Sequence, residues 1–314
     1  MRIVFMGTSH FAIPSLKALI ASEHEIAGVV SQPDKQRGRG RKVTPTPVKE
    51  IAEQYKLELL QTANIKTPES IKRIKQWKPE LIIVVSYGQI IPLSILEYPR
   101  HGCINVHASL LPRYRGAAPV QRALMDGIKS SGITIMFMDE GLDTGDIIMQ
   151  EAIAVDDNIN HGELEKILAD MGADLLLQVV DRLVQGEKLP RVVQDDSQAS
   201  YAARISKEDE IINWSEPAYA IHNRIRALNP QPGAYSYING TKVKIFASKV
   251  RSEAGSGVIA EVIEVDKNTF QVQTGEGILE VLEIQKAGKK RMPTSEFLKG
   301  FTLHPGVLLG SKEG

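Results

Sequence analysis

The chain opens on a compact apolar run over residues 2–6 that stops at Gly7, after which apolar positions return every third or fourth residue over 11–20. A short continuous run predicts a buried strand, and the 3.6-residue period predicts a helix with one face inward. Strand, tight turn and helix begin an α/β domain. The alternation continues with an apolar run over 25–30, helical spacing over 48–55 and 68–77, and the aliphatic stretch LIIVV at 81–85. A strand of that last kind is apolar on both faces and belongs inside a parallel sheet covered by helices. Further strands are expected through Cys103 and over 133–138, with a helix over 117–125 and a strand or hairpin over 146–155. A long helix over 161–185 is expected to pack across the sheet.

From 186 to 204 the periodicity dissolves into polar residues that include Pro190, Asp195, Asp196 and Ser197. We therefore expect a first domain over 1–189, a linker over 190–205 and a second domain over 206–314. After an amphipathic stretch at 218–228, short alternating runs at 242–247, 257–265, 269–274 and 278–285 are separated by glycines and an Asn-Gly pair. Short strands at that spacing predict a small β-barrel or sandwich.

The 38 basic and 38 acidic residues cancel over 314 positions, so overall charge points neither toward nor away from a polyanionic partner. Cys103 is the single cysteine. It rules out an internal disulfide framework and a cysteine-based zinc cluster, and fits a reducing cytosol. The opening run is short for a signal peptide and no stretch approaches a membrane span. A cytoplasmic protein without a membrane partner is expected, with a monomer as the default.

Candidate chemistry concentrates in GCINVHASLLPRYRG, residues 102–116, where Asn105 and His107 lie two apart at the end of an apolar run. Strand alternation points both side chains the same way, and the Leu-Leu-Pro and Arg-Tyr-Arg-Gly that follow suit the lip of a pocket. An isolated Asn-x-His pair more often only satisfies loop backbone groups. A second stretch, DEGLDTG at 139–145, changes that balance by offering Asp143 after another apolar strand. Tyr87-Gly88 turns the chain after LIIVV, and the carboxyl-terminal edge of an open α/β sheet is where ligands bind. Tyr87, Gly88, Asn105, His107 and Asp143 are thereby expected at one rim.

These groups suit acyl transfer. An Asn amide can donate to a carbonyl oxygen as it becomes an oxyanion, a His can shuttle a proton, and an Asp can orient the imidazole. No metal is required. Ser109 as a nucleophile lacks the G-x-S-x-G elbow, and His101 with His107 lacks the spacing of a zinc site. The opening turn GTSHFA lacks the glycines of a dinucleotide-binding loop, so Asp34 is set aside as a ribose ligand. After it, KQRGRGRK carries Lys35, Arg37, Arg39, Arg41 and Lys42 without an acidic residue. Glycines between arginines oppose a stable helix, and such an arm predicts a phosphate-bearing partner. Lys286, Lys289, Lys290 and Arg291 form a second basic cluster, for which a solvated turn and nucleic-acid contact are equally good readings.

The stretches INVHASLLPRYRGAAPVQ and GITIMFMDEGLDTGDII resemble the folate-dependent formyltransferases, and the likeness extends through VFMGTSHFA, SQPDKQRGRGRK, VVSYGQIIP and INWSEPAYAIHNRIRALNPQPGAY. The resemblance implies a Rossmann-like, mostly parallel catalytic domain followed by an OB-like β-barrel. It implies that Asn105, His107 and Asp143 are catalytic and that 10-formyltetrahydrofolate is the formyl donor. Ser109, Leu110, Leu111 and Pro112 then belong to the folate pocket, and Tyr87 and Gly88 join them from their place at the strand end. The branch most resembled acts on initiator methionyl-tRNA. Its expected contacts are Arg37, Arg39, Arg41 and Lys42, with Lys289, Lys290 and Arg291 from the second domain. Two alternatives stay open: formyl transfer to a small amine, a sugar nucleotide or water, and a non-catalytic RNA-binding protein on the same scaffold.

Overall fold

The computed structural model describes residues 1–37, 42–251 and 257–310. In chain order the elements up to residue 203 are β1 (Arg2–Gly7), α1 (Ile13–Ala21), β2 (Glu25–Ser31), the short pair β3 (Lys35–Arg37) and β4 (Lys42–Thr44), α2 (Pro47–Gln54), β5 (Leu59–Gln61), α3 (Pro68–Gln76), β6 (Leu81–Val85), α4 (Leu93–Leu96), β7 (Cys103–His107), β8 (Arg115–Gly116), α5 (Pro119–Met125), β9 (Ser130–Phe137), β10 (Ile147–Ala154), α6 (His161–Val184) and β11 (Tyr201–Ala202). A seven-stranded sheet runs in the order β10-β9-β7-β6-β1-β2-β5. The five strands from β7 to β5 are parallel. All five residues of β6 are buried, as a run apolar on both faces requires.

Local chemistry starts the helices. Thr46 and Thr67 each accept a hydrogen bond from the backbone N–H three residues on, Lys49 and Ser70, and each is followed by the proline that opens α2 or α3. Such a cap satisfies one of the first-turn donors, while proline gives up an N–H that has no partner there anyway. Where α3 ends, the Trp77 indole closes on Gly28 of β2 so tightly that an added Cβ would lie 2.4 Å from it. Cys103 is buried, and burial pushes its thiol up to about 12. The thiol packs as an inert core group.

The third polar group reaches the rim by another route than the sequence pattern implies. β9 is antiparallel to β7, with His107 opposite Thr134 and Ile104 opposite Phe137. The strand preceding Asp143 therefore ends beside the beginning of β7, at the far edge of the sheet from His107. β10 returns antiparallel to β9, so residues 138–146 are a hairpin connection. Met138 packs on the cluster that holds Cys103, Ile95 and Leu96, which places the start of this connection on the Asn105 face of β7. On the opposite face Val106 meets Gly172 of α6, where an added Cβ would lie 2.8 Å from the valine methyl.

The chain divides into two units, Met1–Pro119 with Ser130–Ala154 and Glu165–Ala203, and Val120–Lys129 with Val155–Leu164 and everything from Arg204 onward. The stretch expected as a linker is largely built into the first unit. Val192 exchanges two backbone hydrogen bonds with Ile147, and β11 pairs with β8. Conversely, the excursions at 120–129 and 155–164 go with the second unit, where polar contacts hold them. Arg226, 3 % exposed, donates to the carbonyls of Asp156 and Ile159, and Arg122 makes two hydrogen bonds with Asp209.

The second unit continues with α7 (Ala218–Ala227), β12 (Ala234–Ile238), β13 (Thr241–Arg251), β14 (Val262–Val265), β15 (Phe270–Gln273), β16 (Ile278–Lys286), β17 (Met292–Pro293) and α8 (Thr294–Lys299). The sheet is antiparallel in the order β12-β13-β16-β15-β14, with β17 on β16. Asn239 and Gly240 make the β12–β13 turn with φ of 46° and 68°, the positive values a two-residue hairpin requires. Ile221 and Ile225 of α7 enter the core with Val243, Ile245, Leu279 and Val281. Leu309 bridges to Ile238 beyond one edge of the sheet and Leu308 to Glu261 beyond the other. One segment thus links both edges, giving the barrel-like closure expected from the strand spacing.

Candidate active site

Strand alternation turns Asn105 and His107 to the same face of β7, and both are buried. Asp143 lies across from them. Its Oδ1 is 3.5 Å from Asn105 Nδ2 and its Oδ2 is 3.6 Å from His107 Nδ1. The Gly116 backbone N–H donates to Oδ2 at 2.8 Å. On the other edge of the imidazole, Nε2 lies 3.0 Å from the Tyr114 carbonyl oxygen. A carbonyl can only accept, so Nε2 carries a hydrogen in this arrangement and the Nδ1 edge faces the carboxylate. The Asn105 and His107 contacts to Asp143 are long, as catalytic hydrogen bonds often are before substrate tightens them. The amide N–H of Asn105 is therefore held in place without being strongly spent.

Residues 109–113 form a braced turn beside these groups. The Ser109 hydroxyl donates to the Arg113 carbonyl at 2.7 Å, so it is engaged as a turn element rather than set up as a nucleophile. The Ser109 carbonyl accepts from Thr134 Oγ1, which in turn accepts from the Leu111 N–H, and Gln150 Nε2 donates to the Leu111 carbonyl. Leu111 is buried, whereas Leu110 and Pro112 keep partial exposure. Leu111 thus braces this wall from behind.

Tyr87 and Gly88 follow β6 at the same edge as His107, since Val84 pairs with Asn105 in register. Their carbonyls are held by Gln32 Nε2 at 2.9 and 3.1 Å, and Thr8 Oγ1 also donates to the Tyr87 carbonyl. The Tyr87 ring is packed in the apolar cluster around Val4, Val84 and Ile91, where burial raises its phenol above the ordinary value. What Tyr87 offers the rim is backbone. Asp34, set aside as a ribose ligand, instead receives Lys49 Nζ at 2.6 Å and Gln61 Nε2 at 2.7 Å.

The basic residues fare differently. The backbones of Arg37 and Lys42 pair at the end of the β3–β4 hairpin, and Arg39 and Arg41 lie outside the described residues. Lys289 and Lys290 are exposed. Arg291 pairs with Glu283, donates to Asn229 Oδ1 at 2.9 Å, and lies 4.6 Å from the Phe246 ring centre. Arg291 keeps an exposed side chain beside Lys289 and Lys290 while making these contacts.

Sequence reading missed Gln194. Within the stretch expected as a linker, its buried side chain donates to the carbonyls of Asp143 and Gly145 and accepts from Arg115. A Gln in a polar run carries no periodic signal that could have singled it out.

Residues 1–180 match the formyl transferase family model and residues 204–302 match the model of the formyl transferase C-terminal domain. The methionyl-tRNA formyltransferase of Carboxydothermus hydrogenoformans is 51% identical over 302 residues, covering 96% of this chain and 97% of that protein. The enzyme of the same name from Citrifermentans bemidjiense is 44% identical over 313 residues, covering 100% and 98%. Among solved structures, WlaRD, a sugar 3N-formyl transferase crystallised in the presence of dTDP and 5-N-formyl-THF, superposes with a TM-score of 0.66 at 22% identity, covering 92% of this chain and 99% of that one.

Proposed function

The chain belongs to the formyl transferase family, and from that membership we infer that it is an enzyme that formylates methionyl-tRNA. The donor in this reading is 10-formyltetrahydrofolate and the acceptor is the free α-amine of methionine on initiator tRNA. The observation that carries the reading is the convergence of Asn105, His107 and Asp143 on one face of β7, beside a braced turn whose one hydroxyl is already engaged.

The free α-amino group has a reference pKa of roughly 8, so a useful neutral fraction attacks the formyl carbon without a strong base. A new C–N bond forms, the bond from the formyl carbon to N10 of the folate breaks, and the proton lost by the amine passes to N10. Asn105 donates its amide N–H to the formyl oxygen as negative charge develops there, the point at which a preorganised donor gains most. With its Nε2–H held by the Tyr114 carbonyl, His107 supports the same oxygen and carries the proton through Nδ1, while Asp143 beside that nitrogen stabilises the charged ring. Leu110, Pro112 and the backbone at Tyr87-Gly88 wall the folate, with Ser109 and Leu111 bracing the turn.

The acceptor end of the tRNA is met by the arm that carries Arg37, Arg39, Arg41 and Lys42, and Lys289, Lys290 and Arg291 of the second unit are separate candidate contacts to the tRNA. No helix among the described residues is long and apolar enough to cross a membrane, and a role in translation assigns the enzyme to the cytoplasm. The test is formyl transfer from 10-formyltetrahydrofolate to methionyl-initiator tRNA, run beside free methionine and a no-acceptor control. Transfer to the charged tRNA alone is expected. Equal transfer to free methionine, or folate turnover with no acceptor, would move the function to a small amine or to water.

A further inference from the structure

Asp143 has a backbone φ of 56°, in the left-handed region that is costly for most residues with a Cβ and that Asp and Asn enter more readily than others. The surroundings are specific. Gln194 Nε2 donates to the Asp143 carbonyl at 2.9 Å and to the Gly145 carbonyl at 2.8 Å. Its Oε1 accepts from Arg115 Nε at 3.1 Å and Nη2 at 2.8 Å. Arg115 also donates to Asp196 Oδ1 at 2.8 Å, and the N–H of the next residue, Gly116, donates to the Asp143 carboxylate. A closed circuit results, from Gln194 to the Asp143 backbone, from the Asp143 carboxylate to Gly116, and from Arg115 back to Gln194.

Every polar atom of the Gln194 amide is used in that circuit, and the side chain is 8 % exposed. Such an arrangement fixes the main chain of Asp143 from one side and its carboxylate from the other. We propose that Gln194 is a positioning residue for formyl transfer, holding Asp143 so that its carboxylate stands between Asn105 and His107. This rests on the reading of Asp143 and His107 as groups of the reacting site. Gln194 touches no reacting atom. It acts through Asp143, and Arg115 acts through Gln194.

Two substitutions separate positioning from simple filling of space. Gln194→Ala removes the side chain, whereas Gln194→Glu keeps its shape and its partner Arg115 but turns an acceptor toward two carbonyl oxygens. Misplacing a reacting group by about 1 Å costs on the order of 10²-fold in rate. Both variants should therefore lower kcat by roughly 10- to 100-fold, with KM for methionyl-tRNA within about twofold of the parent enzyme.

The deciding measurement places each substitution on an Asp143→Asn background, with thermal melting run in parallel. If Gln194 acts through Asp143, its loss adds little once that carboxylate is gone, because residues acting as one unit are not additive. Full additivity would overturn the proposal, as would unchanged kcat in folded Gln194→Glu or a rise in KM alone. If Asp143→Asn itself turned over normally, the reading of Asp143 would fail and take the proposal with it. Impaired Asp143→Asn beside fully active Gln194 variants would sink the proposal while leaving that reading intact.

Discussion

Replacing Asn105 with alanine removes one amide from the site and should cost turnover far more than folding. In the resting enzyme the amide reaches Asp143 Oδ1 only at 3.5 Å. A hydrogen bond that long is worth well under the net ~1 kcal/mol of a good one. In the transition state the same N–H meets a formyl oxygen that has gained charge in a site where Asn105 is 8 % exposed. A donor so placed contributes about 2.7–4 kcal/mol, which corresponds to a loss of roughly 10²–10³ in kcat. Single-turnover formylation at saturating folate and methionyl-tRNA reads that loss directly, and a folate titration reads the ground state separately. The reasoning predicts a folate dissociation constant within about threefold of the parent enzyme. A rate within about tenfold of the parent with folate bound would take Asn105 out of the transition state. A normal rate with weakened folate binding would make it a binding residue only.

Substituting Arg39, Arg41 and Lys42 together with alanine should raise KM for tRNA and flatten its dependence on salt, by roughly 0.7–0.9 in logarithmic slope for each phosphate that is no longer neutralised. An unchanged slope would mean that the arm does not meet the phosphates. A second test concerns stability and lies in the second unit. Two hydrogen bonds from Arg122 hold the Asp209 carboxyl down to about 2 against an ordinary 3.8. A depressed carboxyl contributes stability that is fully present above the unfolded value and is lost as pH falls through the folded one. Asp209→Asn should therefore be less stable by about 2 kcal/mol near neutrality, with the gap closing as pH drops from about 4 toward 2. Denaturant midpoints measured across that range check it, and a gap independent of pH would show that charge is not the cause.

Much of this protein is written locally. The five-residue aliphatic run of β6, the Thr-Pro starts of α2 and α3 and the Asn-Gly turn between β12 and β13 depend on residues within a few positions of one another. Periodicity and turn chemistry therefore reveal them without the fold. The pairing of Asn105 with His107 is legible for the same reason, because alternation on a strand fixes their common face.

What the sequence leaves undecided is set by contacts between distant residues. The direction of β9 depends on its register against β7, and periodicity is blind to strand direction. Asp143 therefore reaches the site along a returning hairpin connection rather than from a strand end at the same edge. The excursions at 120–129 and 155–164 join the second unit, where Arg122 pairs with Asp209 and the buried Arg226 donates to the Asp156 carbonyl. Gln194 acquires its meaning 51 residues from the carbonyl it holds, and Arg291 acquires Asn229, 62 residues away, as a partner. The sequence by itself determined which elements form and which polar groups are available to the chemistry. Tertiary structure decided which of those groups are spent on one another and which stand ready for substrate, because hydrogen-bond partners in a folded chain are chosen by distance in space.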